Sequence, residues 1–303
     1  MPIETKGNHI LAHMAVLSAN LIYGANYSVA KEVMPAFIQP FGFILLRVLF
    51  TAIVFVLLAQ FVTHEKVDFS DKKRFFLCAL FGVAINQLLF FKGLDITTPI
   101  NAALMMTTNP IMVLIAASLI LKDRITWIRT LGIGLGITGA STLILWNGGG
   151  LKLSGSLTGD IMILINSLSF GVFLIMVKPM MAKYSTVTVM KWVFMFGTIL
   201  VLPFGLGEFQ DIKWSTFDTR IWLLTAFVVI GTTSLAYVFN TYALKKLSPS
   251  EVSVYIYLQP LFAVMFAVLL GKDNLKTVHF LSAALIFGGV YLASDKLSAS
   301  KDK

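Results

Sequence analysis

Apolar residues run along this chain in blocks of about 20, separated by short polar turns. Ten blocks can be marked: 10–30, 41–62, 75–94, 100–121, 127–146, 158–177, 187–206, 221–244, 251–270 and 277–294. As helices, most are long enough to cross a hydrocarbon core about 30 Å thick. The longest connections, near 63–74 and 207–220, are too small to be domains. Glycines at 148–150 and the polar run to Gly159 form a seam with five blocks on each side. The pattern predicts an all-α integral membrane protein with ten transmembrane helices. Its units are 10–146 and 158–294, and the tails are 1–9 and 295–303.

The two units repeat one another. Thr98 to Gly139, shifted by 150 positions, lands without a gap on Ser248 to Gly289. Pro99 falls on Pro249, Asn109-Pro110 on Gln259-Pro260, Lys122-Asp123 on Lys272-Asp273, and Gly139 on Gly289. Upstream, Tyr23-Gly24 to Lys31 aligns with Phe170-Gly171 to Lys178, and the Arg47 segment with the Lys191 segment. Five is an odd number, so the second unit must enter the membrane from the opposite side. The expected architecture is a 5+5 inverted-topology repeat.

Composition agrees with a membrane chain. Of 303 residues, 57% are hydrophobic and 13% charged, about half the charged fraction of a soluble domain. The formal charge of +9 sits in loops and predicts no nucleic-acid partner. With both termini cytoplasmic, inner segments hold 15 Lys and Arg and outer segments 7, with Arg47 and Lys191 inside spans. The bias orients the chain with N and C termini inside, and the expected location is the cell membrane (bacterial inner membrane). Trp127 and Trp146 bracket the fifth block as interfacial anchors. No convincing secretory signal precedes the first block. Cys78 is the only cysteine, and the four histidines lack metal-ligand spacing, so neither metal nor cofactor is expected.

A ten-helix 5+5 repeat with these motifs resembles the EamA family of the drug/metabolite transporter superfamily. The resemblance covers residues 10 to 294. It is carried by Asn20 with Tyr23-Gly24, by the Arg47 span, and by the repeated proline helix with its acidic turn and Gly-rich successor. The family usually has Gly-Glu in that turn, where this chain has Lys122-Asp123 and Lys272-Asp273. The resemblance implies transport, often export, of amino acids or other small metabolites.

Polar residues inside the spans are costly in lipid and mark a candidate site for a small-molecule substrate. They are Asn20, Tyr23, Arg47, Asn86, Gln87, Asn109, Asn166, Lys191, Tyr237, Asn240, Tyr257 and Gln259, with Pro110 and Pro260 as hinges in kinked helices. The neutral residues suit a solute held by hydrogen bonds in one midplane cavity. The same residue types also bridge packed helices. Arg47 and Lys191 could anchor a carboxylate or phosphate at the cavity mouths, or could snorkel to the interface. Gly132, Gly134, Gly136 and Gly139, with Ser282, Ala284 and Gly289, allow close packing within one chain or across a homodimer.

Two rival functions compete with transport of polar metabolites. An intramembrane enzyme needs a nucleophile–base set or paired carboxylates, and none is found. A carrier of drugs or lipid-like amphiphiles is favoured by the 25 phenylalanines. No ATP-binding loop is present, and no Asp or Glu stands near mid-span.

Overall fold

The apolar blocks fold as helices that pack side by side, and their boundaries follow local capping chemistry. The computed structural model describes residues 6–62, 65–121, 126–145, 157–236, 239, 243 and 255–293. Among these the helices are α1 (Lys6–Val33), α2 (Pro40–Val62), α3 (Phe69–Ile96), α4 (Pro99–Met106), α5 (Asn109–Leu121) and α6 (Trp127–Leu145). Then follow α7 (Leu157–Lys183), α8 (Thr186–Gln210), α9 (Thr219–Ala226), α10 (Gln259–Leu269) and α11 (Thr277–Ala293). Among the described residues no strand occurs. Four helices, α2, α3, α7 and α8, are long and apolar enough to span a membrane. The pair α4 and α5, bent by 43°, is a fifth candidate. Shorter apolar helices lie at Thr130–Gly139, Thr219–Thr233, Gln259–Leu269 and Thr277–Gly289.

Caps set several starts. Ser185 accepts from the Thr188 amide, and Asp218 from the Ile221 amide at 2.8 Å. Thr98 accepts from the Asn101 amide, with Pro99 in the first turn where its missing N–H is harmless. At the far end of α10, Gly271 takes φ +63°, and the Lys272 amide returns to the Ala267 carbonyl at 2.8 Å. That left-handed closure turns the chain sharply toward α11.

The proline segments differ from the expected continuous kinked helices. The first block breaks between Met106 and Asn109, and Pro110 is the second residue of a new helix. In the second repeat a 3₁₀ turn, Tyr255–Leu258, precedes α10, and Pro260 again lies in the first turn. Starting a helix at the proline removes the clash that a mid-helix proline would create. At the first break, Thr107 and Thr108 donate their hydroxyls to the carbonyls of Leu104 and Met105, both at 2.6 Å. Threonine thus caps the loose end there, not the neighbouring asparagine.

Two π-helical segments, Leu80–Ile85 within α3 and Phe227–Leu235 continuing α9, were not expected. They fall within the apolar blocks 75–94 and 221–244. Such widened turns leave backbone groups for side chains from other helices.

The main helix pairs each join a helix before residue 146 to one after 156. Helices α2 and α8 run antiparallel: Gly42 N–H donates to Glu208 Oε2 at 2.8 Å, while Phe55 stacks on Phe194 with centroids 6.0 Å apart. Helices α6 and α11 are also antiparallel, with Gly139 against Ile286 and Gly289 against Gly132 and Gly136. Helices α1 and α10 run parallel, with Gly24 against Phe262. So do α5 and α7, with Gly171 against Met112 and Val113. Under the repeat alignment each of these contacts maps onto its counterpart. Gly139 and Gly289 are therefore used within the chain. Phe43, Phe75, Phe91, Ile100, Met105 and Ile163 are fully buried between helices. Leu57, Phe61, Ile199, Phe204 and Phe280 face outward, as a lipid-facing surface requires.

Candidate functional site

Arg47, in the second turn of α2, is 7% exposed. Its Nη1 donates to Gln87 Oε1 of α3 at 3.3 Å. Its Nη2 donates to Thr232 Oγ1 at 3.0 Å and to Thr233 Oγ1 at 3.3 Å, both in the π segment after α9. Its Cζ stands 4.6 Å from the centroid of the Phe91 ring, and Tyr23 of α1 is within electrostatic range. Arg47 Nε is buried without a partner. Thr232 in turn donates to the Val228 carbonyl at 2.5 Å, a bond from a side chain to the widened helix. Three helical segments, α2, α3 and the π segment after α9, therefore converge on one guanidinium, with α1 nearby. Phe91 lies edge-to-face on Phe43 and Phe90, with centroids 5.9 and 5.3 Å apart, and Phe90 contacts Tyr27.

One turn before Tyr23, Asn20 is buried and accepts a bond from Gln259 Nε2 at 2.8 Å. Its own Nδ2 donates to the Val16 carbonyl at 2.7 Å. Asn86 of α3 and Asn166 of α7 exchange side-chain-to-backbone bonds, Asn166 Nδ2 to the Asn86 carbonyl at 2.7 Å and the reverse at 3.3 Å. Ser169 donates to the Phe81 carbonyl in the π segment at 2.6 Å. Asn86 and Asn166 thus act as interhelical ties between α3 and α7.

The structure brings Tyr23, Arg47 and Gln87 together, with Asn20 and Gln259 one turn away along α1. It does not bring in Lys191, which is half-buried on α8 and makes no hydrogen bond or ion pair among the described residues. Helices α2 and α8 are antiparallel, with Gly42 beside Glu208, which puts Arg47 level with Pro203. Lys191 is 12 residues from that level, about 18 Å along the axis. The two cations therefore cannot share one small solute. Asn109 has a buried Oδ1 without a partner. A cavity of about 50 Å³ between α5, α6 and α7 is lined by Thr108, Ile111, Met112, Gly136, Ser141 and Leu164. Asn109 is not among its lining residues, and Gly136, expected for close packing, is. Tyr237 and Asn240 lie outside the described residues, as do Lys122, Asp123 and Trp146. Tyr257 is in the 3₁₀ turn before α10, and the side chains of Tyr257 and Pro110 are also outside the description.

Thr232 and Thr233 were missed in the sequence. Their signal is a polar pair within the apolar run Phe227 to Leu235. Asp160, in the first turn of α7, is fully buried. Thr97 donates its hydroxyl to Asp160 Oδ1, and Asn101 Nδ2 donates to Oδ2 at 3.5 Å. Nearby, Glu32 at the end of α1 pairs with Lys272 at 2.8 Å and Arg220 at 3.2 Å, and Lys31 donates to the carbonyls of Asp95 and Thr97. Asp273 accepts from the Ile100 amide at 3.3 Å, so the Lys272-Asp273 turn fastens helix ends. At the other end, Lys183 pairs with Asp68 and Asp71, both at 2.6 Å.

A profile of the EamA-like transporter family matches this chain twice, over 10–145 and 157–295. The chain belongs to the EamA-like transporter family. This EamA-like transporter is 23% identical over 300 residues to the uncharacterized transporter YyaM of Bacillus subtilis (strain 168), covering 97% of this chain and 96% of that protein. It is 24% identical over 217 residues to a probable terminal-alkyne amino-acid exporter of Streptantibioticus cattleyicolor, covering 71% of each. A solved crystal structure has the same fold, with a TM-score of 0.62 at 17% identity over 96% of this chain and 98% of the other. The EamA-like protein is a multi-pass membrane protein of a transporter family, and its relatives are named as transporters, not enzymes.

Proposed function

We propose that the protein is a secondary transporter that exports amino acids or related small polar or amphipathic metabolites across the cell membrane. Ten spans, arranged as inverted five-helix units 10–146 and 158–294, rock against each other around a central site, with both termini in the cytoplasm. The observation that carries this reading is the exchange of matching contacts between units. Gly24 on Phe262 corresponds to Gly171 on Met112, and Gly139 on Ile286 to Gly289 on Gly136. The twofold family match and the amino-acid exporter among the relatives support it. Substrate contacts come from Tyr23, Arg47, Gln87, Asn20 and Gln259, and the helix breaks at Pro110 and Pro260 serve as hinges between outward-open and inward-open states.

Inverted units put Lys122 and Lys272 on opposite membrane faces. After replacement of Cys78, single cysteines at these positions are labelled with an impermeant thiol reagent on intact cells. Labelling of only one supports the reading, and equal labelling of both sinks it. Export is tested by comparing metabolites released by cells with and without the protein; no difference across polar metabolites argues against the substrate class. A second reading, a carrier of drugs or lipid-like amphiphiles, is favoured by the aromatic group of Tyr27, Phe43, Phe90 and Phe91 beside the site.

A further inference from the structure

We propose that the transported solute is a monoanion carrying a carboxylate, and that Arg47 holds that group. The inference rests on the transporter reading and narrows its substrate class. Its starting point is a contrast in how the chain treats its cations. At the helix ends, Lys92, Lys183, Arg220 and Lys272 each meet a carboxylate, although all are at least one-third exposed. The buried cation, Arg47, meets none among the described residues. Its bonds go to the neutral oxygens of Gln87, Thr232 and Thr233, and its Nε has no partner.

A guanidinium stays charged in any protein environment. Burying one without a counter-charge is costly, and such residues in membrane spans mark solute paths. The missing charge is supplied when the solute arrives. Nε and Nη2 form one edge of the guanidinium fork, the geometry that accepts both oxygens of a carboxylate, and the solute takes that edge by displacing a threonine hydroxyl from Nη2. Gln87 on Nη1 holds the far corner and fixes its aim.

Two observations limit the anion. Lys191 is too far along the α2–α8 pair to add a second positive charge. A single cation matches a monoanion better than a phosphate dianion. The Phe91 face at 4.6 Å, backed by Phe43 and Phe90, offers an apolar wall for the solute's body. A cationic drug would meet an unscreened like charge at the same place.

The test uses the purified full-length protein in detergent, with thermal unfolding as the readout. The probes are 3-phenylpropionate and 4-methylpentanoate, each against its amide, at equal ionic strength. The acids should raise the unfolding midpoint and the amides should not. Arg47→Lys should weaken the acid effect roughly tenfold in concentration, the loss of one charge-assisted hydrogen bond, and Arg47→Gln should abolish it. Equal shifts from acids and amides, no shift from either acid, or a full shift in Arg47→Gln would each overturn the proposal. If Arg47→Gln does not fold, the acid–amide comparison in the native protein and the Arg47→Lys variant still decide. Transport is scored separately by solute release. Export of a neutral or cationic solute at an unchanged rate in Arg47→Lys overturns the carboxylate assignment but leaves the transporter reading intact. Absence of any export defeats the transporter reading instead.

Discussion

Substitution at the α6–α11 crossing gives the sharpest test of the packing. A Cβ built on Gly289 would lie 2.6 Å from both the Gly132 carbonyl oxygen and the Gly136 nitrogen, and 2.9 Å from Gly136 Cα. These are backbone atoms, so no side chain can turn aside. Restoring ordinary contact near 3.5 Å requires the helices to separate by about 1 Å. Overpacking of this kind costs about 1–3 kcal/mol. Gly288, one residue earlier on the same helix, has nothing within 4 Å of its Cβ position. Both Gly→Ala changes gain the same helix propensity, about 1 kcal/mol. That gain cancels in the comparison. Gly289→Ala should therefore be less stable than Gly288→Ala by about 1–3 kcal/mol. The assay is thermal or denaturant unfolding in detergent, with size-exclusion chromatography to confirm a monodisperse starting state. Equal stability of the two variants would refute a crossing at these glycines. Gly139→Ala, which meets the Ile286 nitrogen at 2.9 Å, should resemble Gly289→Ala.

Asn20→Leu and Gln259→Leu should each cost about 1–3 kcal/mol by leaving a buried amide unpaired, and the double variant should cost less than their sum. Strict additivity in the same unfolding assay would count against the 2.8 Å contact. Asp160→Asn keeps an acceptor for Thr97 and should be tolerated, whereas Asp160→Leu strands both Thr97 and Asn101 and should lower stability by about 1–3 kcal/mol; a reversed order would contradict the observed bonding. Glu32→Gln removes the charge that joins Arg220 and Lys272, so stability should change by less than about 1 kcal/mol. The same unfolding assay checks this, and a loss above about 2 kcal/mol would contradict a solvent-screened group.

Helix positions were legible because apolar runs and polar turns record burial directly. The observed limits of α2 and α8, Pro40–Val62 and Thr186–Gln210, lie close to the blocks 41–62 and 187–206. The cap residues Thr98, Ser185 and Asp218 stand where the polar turns end. The site was less legible. Tyr23, Arg47 and Gln87 could be chosen because they are polar in apolar surroundings, but their convergence depends on three-dimensional packing. Thr232 lies 185 residues from Arg47, and threonine is common enough in membrane helices to carry little signal by itself. The π segments depend on hydrogen-bond register, which no residue type dictates. Asn86 and Asn166 look the same in sequence whether they bind a solute or tie helices. Only their exchanged backbone bonds distinguish the two uses.

The pairing of early helices with late ones also bears on how the chain is made. Helix α1 ends at Val33, and its partner α10 begins at Gln259. At about 5–20 residues per second, α1 waits about 10–45 s for that partner to be synthesised. During that interval Asn20 lacks Gln259, and Arg47 lacks Thr232 and Thr233. The nascent chain thus holds unsatisfied polar groups in or beside lipid until its last third is inserted. A ribosome stalled after α6 leaves a fragment whose principal packing faces are all uncovered, a ready substrate for membrane proteases. Supplying α7 to α11 from a second message restores those faces, so survival of the amino-terminal fragment becomes a readout of assembly in living cells.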